Sequence, residues 1–462
     1  MSERIDFARN ADAALRDPFL QTSLRTAMVR FRDLRRAVVE EVSDWQALRQ
    51  HAHDVKQHTL SNLDRYLEQL ERQVSAAGGV VHWARDAEEA RRLVTDLARR
   101  DQGRDVVKSK SMTSEEIELN RALAAAGLEV TETDLGEYLL QLAGEHPSHI
   151  IAPVVHKSKA AIAVLLSEKL GVPIYDDAEQ LTRVARKALR QRFLSADVGI
   201  SGVNFAVAET GTIVIVENEG NARLTTTLPR VHVALMGIEK VIPRLGDLAV
   251  FLTLLPRSAT GQRMSSYVSF ITGPRRPGEM DGPEEFHLVI MDNGRTAIHA
   301  DEVMRESLAC IRCGACLNVC PVFERTAGHA YGSVYSGPIG AVITPLSRGL
   351  DVAGDLPFAS SLCGACGEVC PVKIDLPRLL LELRARVVQR RGASWVERVF
   401  VKGWVATMMS SRRLRVAGKL VRQVHRLIHR RPVPLPYPFS KWTEARDLPR
   451  PATHAFRDRW GR

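Results

Sequence analysis

Cysteine is scarce in this chain of 462 residues, and all seven cysteines fall in two short runs. No stretch of 18 or more apolar residues occurs, so no transmembrane helix is expected. The start, Met1-Ser-Glu-Arg-Ile-Asp, is charged and lacks the apolar core of a signal peptide. Neither a G-x-G-x-x-G nor a G-x4-G-K-[ST] sequence is present, which leaves nothing to suggest a bound dinucleotide or a P-loop. No flavin motif is seen either. With its thiols reserved for metal, the protein is expected in the cytoplasm.

The first run, Cys310-Ile-Arg-Cys-Gly-Ala-Cys-Leu-Asn-Val-Cys-Pro, places Cys310, Cys313, Cys316 and Cys320 at the C-x2-C-x2-C-x3-C-P spacing of two-cluster ferredoxins. The second holds Cys363, Cys366 and Cys370 and is again closed by a proline, Pro371. Thiolates are soft ligands that suit zinc and iron–sulfur clusters. Two residues between ligands let one loop wrap a cubane, and the proline redirects the fourth cysteine to the other cluster. Gly314, Gly364 and Gly367 let backbone N–H groups approach the sulfurs. Leu317, Val319, Val322, Phe323, Leu362, Val369, Val372 and Ile374 offer a dry shell.

The spacing assigns Cys310, Cys313, Cys316 and Cys370 to one [4Fe–4S] cluster and Cys320, Cys363 and Cys366 to the other. Ser360 stands where an eighth cysteine would align. The second cluster is therefore expected to take a non-thiolate ligand (Ser360, Ser361, another residue or water) or to be a [3Fe–4S] cluster. Structural zinc and disulfides are the alternatives. Zinc usually takes two separated C-x2-C pairs, and disulfides need an oxidising compartment.

The length predicts two to three domains, read here as four segments. Residues 1–75 are helical, with Asp17-Pro18 as a helix start and Leu24, Met28, Phe31, Leu34 and Val38 on one face. Leu60, Leu63, Tyr66, Leu67 and Leu70 form a second such face. Residues 76–300 alternate strands and helices, which predicts a parallel α/β sheet. Strands are expected at 80–84, 106–107, 128–131, 150–154, 198–207, 212–217, 231–236, 267–272 and 286–291. Helices are expected at 86–100, 114–126 with Ser114 as cap, 157–170 and 178–195. Residues 301–390 form an α-helical two-cluster domain, with helices at 301–308 and 375–390 and a turn-rich crossing at 329–345. Lys108-Ser-Lys-Ser-Met is a weak candidate for an anion loop. Glu209, Glu217, Glu219 and Arg223 read as loop charges, and His149 and His156 as structural.

Residues 391–462 form a basic extension. There 17 Lys and Arg stand against 4 Asp and Glu, an excess of 13 that exceeds the whole chain's +10. Four of the six tryptophans lie there too, and Pro432, Pro434, Pro436 and Pro438 predict an extended or disordered end. The extension suggests docking on anionic lipid or on a partner subunit, in preference to nucleic acid. Peripheral attachment to the inner face of a membrane fits that reading.

The cysteine runs, the Tyr331 to Pro345 segment, and Glu209 to Pro243 with Asn218-Glu-Gly-Asn-Ala-Arg-Leu-Thr-Thr-Thr-Leu-Pro-Arg resemble the bacterial lactate utilisation protein B family over nearly the whole chain. The resemblance implies an iron–sulfur subunit of a multi-component system oxidising L-lactate to pyruvate. It implies an α/β domain with the fold of ribose-phosphate isomerases and CoA transferases. It also implies two partners, a cysteine-rich subunit and a small second lactate-utilisation-domain subunit, with a quinone or another acceptor downstream. The seven cysteines carry over as cluster ligands, and no catalytic residue does. Electron transfer for another 2-hydroxy acid such as glycolate is the nearest rival. An isomerase- or transferase-like enzyme with structural clusters is a further one.

Overall fold

A computed structural model describes residues 4–100, 103–392, 395–428, 452 and 454–460. The chain divides into two compact units, the first ending at Arg386 and the second beginning at Val387.

The first unit opens with helices Phe7–Leu15, Pro18–Glu40, Trp45–Ser61 and Leu63–Ala76. Asp17 accepts the Leu20 N–H at 3.0 Å and Pro18 follows it, a start that satisfies a donor the helix itself leaves free. Leu24 and Met28 are fully buried, while Leu34 stays exposed. The second apolar face is divided between two helices at Asn62.

Ten strands follow among the described residues: β1 Val80–Ala84, β2 Asp105–Lys108, β3 Glu129–Glu132, β4 Val198–Gly202, β5 Phe205–Val207, β6 Thr212–Glu217, β7 Val231–Gly237, β8 Val241–Ile242, β9 Tyr267–Ile271 and β10 Glu285–Met291. Six form an all-parallel sheet in the order β1-β10-β7-β4-β2-β3. Its central strands are buried on both faces, which explains their continuous apolar runs. Ala90, Val94, Leu119 and Leu123 cover one face, and Leu63, Leu67, Leu70 and Val74 the other. A smaller mixed sheet runs β8-β5-β6-β9.

The cysteine region has no core of its own. Phe323, Leu317, Ile339 and Val372 share one cluster with Met28, Trp45 and Leu60 of the first helices and Phe251 and Leu254 of the helix Leu248–Ala259. The first helices thus pack on the cysteine region as well as on the α/β part.

Several local expectations are corrected. The segment 198–207 is not one strand: β4 and β5 belong to different sheets. Residues 150–154 form turns, because His149 Nδ1 accepts the N–H groups of Ile151 and Ala152 and Ser148 N–H donates to Pro153 O. The expected helix 114–126 is two, Met112–Glu116 and Leu119–Ala125, broken where Glu118 takes φ 50°. Its cap is Ser111, which accepts from Ser114 N–H at 3.2 Å. Residues 304–309 form a 3-10 turn in place of a helix from Asp301, whose carboxylate accepts the N–H groups of Val303 and Met304. The 329–345 crossing contains the helix Gly337–Arg348, begun by Gly337-Pro338.

The second unit holds helices Trp395–Met408 and Ser411–Ile428. Trp395, Phe400, Trp404, Leu420 and Val421 are all exposed on them. Residues 456–459 form a helical turn where an extended or disordered end was expected, and Pro432 to Pro438 lie outside the described residues. No helix among the described residues is long and apolar enough to cross a membrane.

Candidate metal centre

Both cysteine runs are shaped by glycines in the left-handed region, Gly314 at φ 73° and Gly364 at φ 87°. Each glycine starts a short helical turn that carries the next cysteine of its run, Cys316 on Ala315–Asn318 and Cys366 on Ala365–Val369. Arg312 and Leu362, two residues ahead of the glycines, share the same strained sign of φ, 60° and 54°. The chain thus curls its N–H groups inward, where they meet sulfur. Arg312 N–H donates to Cys310 Sγ at 3.4 Å, Phe323 N–H to Cys320 Sγ at 3.5 Å and Ile374 N–H to Cys370 Sγ at 3.4 Å.

The cysteines fall into two groups. Cys310, Cys313, Cys316 and Cys370 line one cavity, walled by Ile311, Ile339, Val372, Ile374 and Leu376. Cys320, Cys363 and Cys366 are electrostatic neighbours of one another. Burial pushes the thiols of Cys313 and Cys316 far up, and the neighbouring sulfurs add to it. Burial also raises Cys370 to about 11, and it raises Cys366 to about 12, with Cys320 the next cause. Buried thiols this crowded hold their protons until cations displace them, as metal-binding thiols do. Among the described residues, no three or more His, Cys, Asp or Glu converge on a point that one ion could occupy. Sulfurs around a cavity, with inward N–H donors and an apolar wall, fit a polynuclear cluster.

The surroundings of the groups differ. Cys313, Cys316 and Cys370 are buried, whereas Cys363 is exposed. Arg49, itself buried, donates from Nε and Nη2 to Cys370 O at 2.9 and 2.7 Å, and His53 Nδ1 lies 3.0 Å from Val372 O. Ser360 Oγ accepts Leu362 N–H at 3.1 Å, the same two-residue step that Arg312 N–H makes onto Cys310. Ser360 therefore occupies in the second loop the place of Cys310 in the first.

A buried charge network ties the first group to the sheet. Glu239, just beyond β7, meets Arg295 Nε at 2.6 Å and Arg312 Nη2 at 3.4 Å. Arg295 holds Glu116 through two contacts, and Tyr335 Oη donates to the same carboxylate at 2.7 Å. Burial opposes the Glu239 charge, but Arg295 and Arg312 outweigh it and hold the group down at about 2. Sequence reading missed this network. Its one signal is charge inside an apolar run, Met236-Gly-Ile-Glu-Lys-Val-Ile.

The other singled-out residues have plain roles. Lys108 is fully buried between Glu132 at 2.8 Å and Glu115 at 3.1 Å, so it is not open to a ligand. Glu217 caps the helix Asn221–Thr227 through the N–H groups of Ala222 and Arg223, and Glu209 accepts Leu245 N–H. His149 bridges to Asn318 Oδ1 at 3.0 Å, and His156 pairs with Glu145.

Residues 67–291 match the LUD domain and residues 306–374 a 4Fe-4S dicluster domain. The cofactors are accordingly iron–sulfur clusters of the [4Fe–4S] class. The chain is 45% identical to lactate utilization protein B of Bacillus licheniformis, over 98% of this chain and 95% of that one. It is 45% identical to the protein of that name from Macrococcus caseolyticus, over 99% and 98%, and 44% identical to that from Shouchella clausii, over 98% and 96%. A solved DUF162 family protein from Deinococcus radiodurans shares 12% identity, covers 50% of this chain and 98% of its own, and has a TM-score of 0.28, too low to argue from. On identity and coverage together, the chain belongs to the lactate utilization protein B family.

Proposed function

We propose that this chain is the iron–sulfur electron-transfer subunit of a multi-component system that oxidises L-lactate to pyruvate. The observation that carries it is a pair of thiol groups, one enclosed and one reaching the surface, in a chain like lactate utilization protein B along its whole length. Cys310, Cys313, Cys316 and Cys370 hold one cluster. Cys320, Cys363 and Cys366 hold the other, with Ser360 as fourth ligand. The grouping of the sulfurs supports the first assignment, and the likeness of Ser360 to Cys310 supports the second. When bound, the clusters supply one-electron relay.

This chain's own residues fix the ligands, exclude water from the first group and set its charge through Arg35, Arg49 and Arg312. The α/β part takes the fold of ribose-phosphate isomerases and CoA transferases, a reading supported by its parallel sheet and carrying no claim to their chemistry. A cysteine-rich subunit and a small second LUD-domain subunit complete the system. The exposed apolar residues of Ser411–Ile428, among basic ones, support docking on an anionic lipid surface near a quinone acceptor.

Anaerobic addition of L-lactate, with EPR recorded on the chain alone and with its co-purifying partners, tests the reading. Cluster reduction only with partners is expected. Clusters that dithionite reduces but lactate never does would overturn it.

A further inference from the structure

A cavity of about 300 Å³ opens at the carboxyl ends of β2, β4 and β7, where open parallel sheets bind ligands. Ser109 follows β2, Gly202 ends β4, and Lys240 lies three residues past β7. The opposite wall comes from the cysteine region, through Arg312 and Tyr335. Arg312 also lines the cavity of Cys310, Cys313, Cys316 and Cys370, so one residue borders both spaces.

The polar groups of this cavity are unevenly satisfied. Its acidic side is engaged: Asp134 accepts the N–H groups of Gly136 and Glu137, Glu217 those of Ala222 and Arg223, and Glu219 that of Leu135. Lys110 is engaged as well, with Glu137 Oε1 at 3.6 Å and Ile151 O at 3.3 Å. Lys240 is not. Its side chain is 8% exposed and has no hydrogen bond or ion pair among the described residues. Burial brings its ammonium down to about 8 against the pull of Glu239. Arg312 Nε and Nη1 and Ser109 Oγ are buried atoms without a partner. Donors left unpaired in a dry site are costly unless a guest supplies the acceptor.

The charges also select the guest. An ammonium beside unpaired donors calls for an anion. Three carboxylates of the lining, Asp134, Glu217 and Glu219, repel a dianion such as phosphate and offer acceptors to a hydroxyl. We propose that this cavity binds a small 2-hydroxy monocarboxylate, its carboxylate on Lys240 and its hydroxyl toward the acidic side, next to the first cysteine group. The choice of the 2-hydroxy acid class rests on the function proposed above. The cation, the unpaired donors and the position are observations of this chain alone.

Calorimetric titration of the full chain, with clusters reconstituted, using L-lactate, glycolate and inorganic phosphate as probes, tests the site. L-lactate is expected to bind and phosphate to bind more weakly. Lys240→Met removes a charge-assisted contact and should weaken lactate by about tenfold or more. The same substitution should raise the melting temperature of the ligand-free protein, since an unpaired buried ammonium is removed. A merely structural lysine would not give both signs. Lys240→Arg should retain binding, and lactate should perturb the EPR signal of the first cluster in the unaltered chain but not in Lys240→Met. A cluster-loaded chain that binds no monocarboxylate, that binds lactate equally after Lys240→Met, or that prefers phosphate overturns the proposal. If the assembled system oxidises lactate while this chain binds none, the site fails and the electron-transfer reading stands. Binding without lactate-driven reduction in the presence of partners gives the reverse.

Discussion

The two cysteine loops share a backbone and differ in their surroundings. Both bend at a non-glycine residue of positive φ, turn at a left-handed glycine, and close the turn with an N–H group on the side chain two residues back. In the first loop that side chain is Cys310, and the loop sinks into a core shared with the N-terminal helices. In the second it is Ser360, and Cys363 reaches solvent. Cations attend both loops in different ways: Arg35, Arg49 and Arg312 each feel the sulfurs of the first group, whereas Arg384 donates to Ser360 O at 2.8 Å in the second. Spacing thus sets where ligands stand, while packing decides which loop is enclosed and which can meet a partner.

The largest expected effect breaks the loops one at a time. Cys313→Ala should abolish the first cluster and lactate-dependent reduction of acceptor in the assembled complex. It should also lower the melting temperature sharply, because the first group is part of the core. Cys363→Ala should lose only the second cluster and keep the fold. Iron and sulfide analysis with EPR and thermal unfolding separates them, and equal destabilisation by both would remove the contrast.

Arg49→Met tests the cations. It strands the Cys370 carbonyl and should cost roughly 2–4 kcal/mol, read by denaturant unfolding. A redox titration should show a lower midpoint potential for the first cluster and none for the second, since a nearby cation favours the reduced form. Ser360→Cys aims at the sequence difference itself. It should give the second cluster the EPR signature of an all-cysteine cubane with little change in stability, whereas Ser360→Ala should yield a [3Fe–4S] signal. An unchanged spectrum in both would exclude Ser360 as a ligand.

A pH effect that lies in neither loop serves as their control, with the smallest expected change in either cluster. Burial raises Glu137 from its ordinary 4.5 to about 8, with Lys110 opposing. Between those values the folded chain holds a proton that the unfolded chain has released. Its contribution to stability is therefore full below about 4.5 and lost as pH rises toward 8. Glu137→Gln should flatten that part of the profile, measured as melting temperature at pH 5 and pH 8.5, and leave both EPR signals unaltered.

The parallel strands, the Asp17-Pro18 and Asp375 starts and the glycine stop at Gly171 were legible because local chemistry dictates each. The breaks were not. Gly202 and Asn204 are the local hint of a break within 198–207, but that its halves join different sheets is decided by their partners, β7 and β2 against β6 and β8. Ile150 to Val154 has a strand's composition but is turned by His149, two and three residues from the groups it binds. Ser360 was legible by alignment with Cys310, whereas Lys240 was not singled out, because nothing in its local sequence marks it as facing a cavity.

The sequence alone determined the cofactor class, because soft thiols at fixed short spacing define a cluster loop wherever it sits. Tertiary structure alone decided that the first helices close over that loop, that Glu239 and Arg295 connect it to the sheet, and that Lys240 and Arg312 border one cavity. These residues lie far apart in the chain, and their charges acquire meaning only when burial removes the water that would otherwise satisfy them.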